Sequence, residues 1–217
     1  MTKMTRSAKV LVVACVIASA CSVLGPIPDR SRFYTLTASP PANADRAEAP
    51  GGTILYGLGP VVLASYLDRN QVATRVSPTE VAYSQWDRWA EPLGANVSSV
   101  LLQSIGGELG RDDIVPYPWL GSARVDYQIV VQLLRFESDA TGEAHLQSRW
   151  SIRDLERNRQ LVARETTLTR PGLPGDTAAS TAALSAMLTD LGHEIATALR
   201  ALPSSPPAGP RRKRSGE

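Results

Sequence analysis

Two hydrophobic rhythms organise the chain. In residues 125–136, "VDYQIVVQLLRF", Val125, Tyr127, Ile129, Val131 and Leu133 fall on one side, and Asp126, Gln128 and Gln132 on the other. Strand side chains point alternately to two faces, so this is the pattern of a half-buried strand. Residues 143–152 repeat it, with Ala144, Leu146, Trp150 and Ile152 inward and His145, Gln147 and Arg149 outward. Residues 160–170 are β-branched and polar-rich, which predicts a third strand. "TGE" at 141–143 and "RNRQ" at 157–160 fit hairpin connections, so 125–170 reads as an antiparallel meander. Residues 52–64, 71–76 and 80–89 predict further strands, with "GLGP" at 57–60 a bend within the first.

The second rhythm is helical. In residues 92–110, Pro92 suits a first turn, and Leu93, Val97, Val100, Leu101 and Ile105 form an apolar stripe. The Gly106-Gly107 pair weakens the end of this helix. In residues 176–200, Leu184, Leu188, Leu191, Ile195 and Leu199 recur at helical spacing behind Asp176 as N-cap. The predicted fold is α+β: a single domain over residues 53–202, mostly antiparallel sheet with two helices packed on one face. Residues 31–38 are expected to contribute a strand. Residues 38–52 are rich in Pro, Ala and Gly and read as a linker. Residues 203–217 form a Pro/Ser stretch ending in "RRKRSGE", expected to be a disordered basic tail. Such a tail can meet anionic headgroups beside a membrane, or simply stay solvated.

The first twenty residues follow neither rhythm. Lys3, Arg6 and Lys9 precede the eleven-residue apolar run "VLVVACVIASA", which ends in small residues. A basic start, short apolar middle and small-residue end make residues 1–20 a secretory signal. A buried helix would need a polar face, and this run has none. Cys15 lies in this run, and Cys21, the chain's other cysteine, directly follows it. A disulfide between them would be lost with the removed segment, and no His or further Cys completes a metal site. "ASAC" at 18–21 resembles the bacterial lipobox at Ser19, Ala20 and Cys21, departing at Ala18, where Leu is preferred. "VVAC" at 12–15 fits locally but leaves too short an apolar segment, so Cys15 reads as a small hydrophobe of the signal. Cys21 is therefore the expected lipidation site. Ser22 follows it where Asp would favour inner-membrane retention, which points to the outer membrane.

Charge then changes meaning. The chain holds 23 basic and 21 acidic residues. Three of the bases lie in the signal, and four together with one of the acids in the tail, which leaves the body (22–202) at −4. That argues against nucleic acid as partner. No second apolar run reaches the length of about 20 residues that a membrane span needs.

Candidate chemistry is sparse. His145 and His193 are the two histidines, far apart in sequence and read as structural. HExxH, CxxC, P-loop and GxSxG patterns do not occur. Asp112-Asp113 could meet a cation, though adjacent loop acids are usually only solvated. No catalytic, cofactor-binding or metal residue is assigned, and the only modification expected is acyl and diacylglycerol on the N-terminal Cys. Trp86 and Trp89, three apart, are candidate partner contacts or core packing where a strand meets the first helix.

Several segments together resemble the PqiC family of ABC-type transport auxiliary lipoproteins. They are "SRFYTLTA" (31–38), "GLGPVVLASYLDRNQVATRV" (57–76) and "QWDRWAEPLGANVSSVLLQSI" (85–105). The matching positions are Arg32 to Leu36, Gly59 to Val61, Tyr66 to Arg69, and Trp89 to Leu93. The resemblance spans roughly residues 21–200 and leaves out the basic tail. It implies a non-enzymatic outer-membrane lipoprotein, facing the periplasm, in an MCE/ABC-type system that moves lipid between membranes and maintains envelope integrity. Its partners would be an MCE-domain (PqiB-like) protein and inner-membrane transporter components. A homo-oligomer would suit such a tunnel by analogy of shape. The alternative is a scaffolding or assembly lipoprotein of another envelope complex.

Overall fold

The structure, a computed structural model, describes residues 28–39, 54–111, 113–119 and 124–202. Every element described here lies within residues 31–202. In chain order these are β1 (Arg32–Tyr34), β2 (Tyr56–Leu63), β3 (Gln71–Ser77), β4 (Glu80–Trp89), α1 (Leu93–Leu109), β5 (Val115–Pro116), β6 (Tyr127–Asp139), β7 (Ala144–Asp154), β8 (Arg159–Arg170) and α2 (Thr177–Arg200). The short β1 occupies Arg32–Tyr34 within residues 31–38.

Strand β6 is the spine of the sheet. One edge carries β7 antiparallel along its length, and β8 follows β7. The other edge carries β2 in parallel, from Tyr56 beside Tyr127 to Leu63 beside Leu133. Beyond β2 the same edge meets β3 in parallel at Ser138 and Asp139. β4 runs antiparallel to β3, β1 runs parallel to β4, and β5 pairs in parallel with β2. The long ladders are thus antiparallel, as the alternation predicts, while β1, β2 and β5 join in parallel. Parallel neighbours need a long crossover, and β3, β4 and α1 lie in the chain between β2 and β6.

Both helices cover one face. Tyr127, Ile129, Val131, Leu133, Leu146 and Ile152 are buried there, and so are the predicted stripes of α1 and α2. A register shift between Leu133 and Arg135 brings Phe136 into the core as well. α1 packs on β2 and on α2, which in turn rests on β6, β7 and β8. The helices approach closely at Gly192, where a Cβ would lie 2.5 Å from the Ser104 Cβ. The Gly106-Gly107 pair does not end α1. The helix stops at Gly110, which is left-handed (φ 65°) and donates its N–H to the carbonyls of Gly106 and Gly107. Asp176 caps α2 as predicted, accepting from the Ala179 N–H at 2.9 Å. The "GLGP" bend is a register shift between Leu58 and Val61. Its glycines leave room for a neighbouring segment, because a Cβ on Gly57 would lie 2.6 Å from the Trp119 ring.

Candidate functional site: a clamp on the N-terminal segment

The domain holds its own N-terminal segment by side chains from both helices. Leu36 is buried, and its backbone is held at both polar atoms by one residue, Asn96 of α1. The Leu36 N–H donates to Asn96 Oδ1 at 2.6 Å, and Asn96 Nδ2 donates to the Leu36 carbonyl at 3.3 Å. The Thr37 N–H donates to Ser185 Oγ and the Ser39 N–H to Thr189 Oγ1, each at 3.2 Å, four residues apart on α2. These hydroxyls can accept because each gives its proton to the carbonyl one turn back, at Thr181 and Ser185. Before the clamp, the Ala90 N–H donates to the Tyr34 carbonyl. Arg32 Nε donates to Asp87 Oδ1 at 2.7 Å, and Thr177 donates to the other oxygen of Asp87. Burial pushes the Asp87 carboxyl up, but hydrogen bonds from Thr177, Arg32 and Ser84 outweigh it and hold the group below its ordinary value.

Asn96 is the pivot, since a buried amide that loses its partners is expensive. Asn96→Ala is expected to cost about 2 kcal/mol, because the Leu36 N–H stays buried without a partner and its carbonyl keeps only the long bond from Thr35 Oγ1 at 3.4 Å. Hydrogen exchange checks this: protection at the Leu36 amide should fall by more than at Ile129. Equal loss at both would mean that Asn96 only supports global stability.

A second polar centre lies at the far end of β6. Glu137 is fully buried, and its carboxylate accepts from Arg75 Nε (2.7 Å), Arg135 Nε (3.1 Å), Tyr66 Oη (2.7 Å) and the Phe136 N–H (2.9 Å). Burial pushes this carboxyl up, and those four donors bring it below its ordinary value. Burial and the adjacent Glu137 push the Tyr66 phenol up to about 12. Both arginines also line an open cleft of about 620 Å³ with Val76, Pro78 and His145.

Asp139, Glu143 and His145 stand close enough to share a cation. In the structure they satisfy one another: Asp139 Oδ2 lies 3.1 Å from His145 Nε2, and Asp139 Oδ1 accepts from Thr141 and Glu143. Burial works against ionisation of Asp139, yet hydrogen bonds from Thr141, His145 and Glu143 lower its carboxyl to about 2. His193 pairs with Glu108 at 3.0 Å. Among the described residues, neither histidine is hydrogen-bonded to a nucleophile. The pairs they form stabilise turns and helix contacts rather than activating a hydroxyl.

Cys21, most of the linker and the basic tail lie outside the described residues. The structure separates the two tryptophans: Trp89 is buried in the core and cannot serve as a surface contact, whereas Trp86 is 38% exposed. Sequence reading did not single out Asn96 or Glu137. Asn96 carried a signal, a polar residue three after Leu93 and four before Val100 on the apolar stripe. Asp113, the described member of the acid pair, is taken up by Arg111 at 2.6 Å.

A mixed α+β domain that clamps its N-terminal lead with side chains from two helices is built to hold that lead. The chain belongs to the family of ABC-type transport auxiliary lipoprotein components, whose model matches residues 34–196. That family is an auxiliary component of transport, not an enzyme family. The chain is similar to a solved Xanthomonas campestris protein of family DUF330, at 22% identity and TM-score 0.64, covering 76% of this chain and 93% of that one. It is also similar to a solved uncharacterized protein, at 16% identity and TM-score 0.62, covering 78% and 98%. These likenesses concern the fold. No curated protein matches the sequence. Among the described residues, no helix is long and apolar enough to cross a membrane.

Proposed function

We propose that the protein is a non-catalytic outer-membrane lipoprotein of an MCE/ABC-type system that moves lipid between membranes and supports envelope integrity. Residues 1–20 are its secretory signal, and Cys21 carries the acyl chains. The observation that carries this reading is the clamp. A domain tethered through its N-terminus must hold the segment that leads from the tether firmly, and Asn96, Ser185 and Thr189 do so at residues 36–39. The family match supports the transport role. The MCE partner and the outer membrane rest on the resemblance and on Ser22.

The test is a crosslinked pull-down of the acylated protein from envelopes, with Cys21→Ala as control, read by mass spectrometry. An MCE-domain protein should be recovered, and less of it with the Cys21→Ala chain. Recovery of an unrelated envelope complex with no MCE protein would turn the reading to a scaffolding lipoprotein.

A further inference from the structure

The edge of the sheet nearest the tether presents an unusual surface. In strand pairing, residues opposite each other share a face. Phe33 of β1 stands opposite Arg88 of β4, while Arg32 stands opposite Asp87 and Tyr34 opposite Trp89. Asp87 and Trp89 are buried, so Arg88 and Phe33 turn outward, and Trp86 joins them one alternation away. Phe33 is 65% exposed, and a large aromatic left in water this way marks a contact surface when others adjoin it. The acid beside the patch is engaged, since Asp87 turns inward onto Arg32 and Thr177. The outward side therefore combines two aromatics with a guanidinium.

We propose that this face, built from Phe33, Trp86 and Arg88, rests on the phospholipid surface that holds the protein. The proposal rests on the reading of Cys21 as the acylated residue. Three observations select a bilayer. Only ten residues separate Cys21 from Arg32, a reach of at most about 40 Å, so the β1 edge stays near the anchoring leaflet. Trp seats at the headgroup level, Phe enters the acyl boundary, and Arg meets anionic phosphates. The clamp at residues 36–39 fixes β1 against the helices, so the tether presents the same face each time. The partner is a lipid surface containing anionic phospholipid.

The experiment uses acylated full-length protein in phosphatidylethanolamine/phosphatidylglycerol vesicles doped with a brominated phosphatidylcholine. The expected result is quenching of part of the tryptophan emission. Trp86→Phe should abolish that quenching, and Phe33→Ser should weaken it. With the unacylated Cys21→Ala chain, loss of either aromatic should lower vesicle partitioning roughly tenfold. Both positions are exposed, so equal thermal midpoints serve as the check that the variants fold. Protein that floats with vesicles yet shows no Trp86 quenching would overturn the proposal and leave the anchor standing. Protein that does not float overturns the anchor, and this inference with it. If the substitutions change the oligomeric mass and quenching is absent throughout, a second copy covers the patch and the proposal falls.

Discussion

Cys21→Ala is expected to move the protein out of the membrane fraction altogether. One acyl chain holds a protein only marginally, with a partition constant of about 10⁴ M⁻¹, and stable anchoring takes two or more. A lipidated N-terminal cysteine of this kind would carry three, so replacing Cys21 would remove all of them at once. The proposed aromatic patch alone is too small to keep a domain on a bilayer through washing. Carbonate-washed membranes probed by immunoblot read the result directly, and a mass measurement shows the loss of the lipid increment. Cys15→Ala serves as the comparison and should leave fractionation unchanged. Release by Cys15→Ala instead would move the anchor to the earlier cysteine.

The second large effect is expected at Glu137. Its side chain is wholly buried and serves Arg75, Arg135 and Tyr66, residues brought together from three separate segments. Removing one member of a buried ionic network leaves the others desolvated and unpaired, which costs more than the network itself contributes. Arg75 and Arg135 are partly exposed and can turn to water, so Glu137→Ala should cost about 3 kcal/mol rather than the upper end of that range. For a domain of this size the thermal midpoint should fall by roughly 6–12 °C. Glu137→Gln keeps the shape and should lose less. The pH dependence has a definite sign. The carboxyl is held below its ordinary value of 4.5, so its stabilisation is complete above that value and is lost as pH falls through the lower, folded-state value. The gap in stability between wild type and Glu137→Gln should therefore be wide at neutral pH and narrow towards pH 3. A gap that does not change with pH would show that Glu137 acts by shape alone.

Some of the residues that carry the family resemblance meet at the clamp, and another joins the Glu137 cluster. Tyr34 and Leu36 are bound by Ala90 and Asn96, Trp89 and Leu93 are buried beneath them, and Tyr66 reaches Glu137. Their spacing in the chain was visible, but their shared location was not. The same holds for the tryptophan pair: a separation of three residues could not say which ring would face water. Trp89 is drawn inward opposite Tyr34, and the neighbouring Asp87 turns in to meet Arg32 and Thr177. Trp86, within the irregular stretch of β4 between Tyr83 and Arg88, is left outside.

Periodicity, by itself, determined the strands of the meander, both helices, the Asp176 cap and the α+β class. These depend on each residue's near neighbours along the chain, through the pleat or the helical turn. Composition also isolated the N-terminal run and its two cysteines. Only the tertiary structure decided that β1 and β2 enter the sheet in parallel, that Asn96 meets Leu36, and that Glu137 meets Arg75 and Tyr66. Those partners lie 60, 62 and 71 residues apart. A polar residue on an apolar face announces that it needs a partner, because burial without one is costly. Which partner it finds depends on how the strands are ordered, and local pattern carries no record of that order.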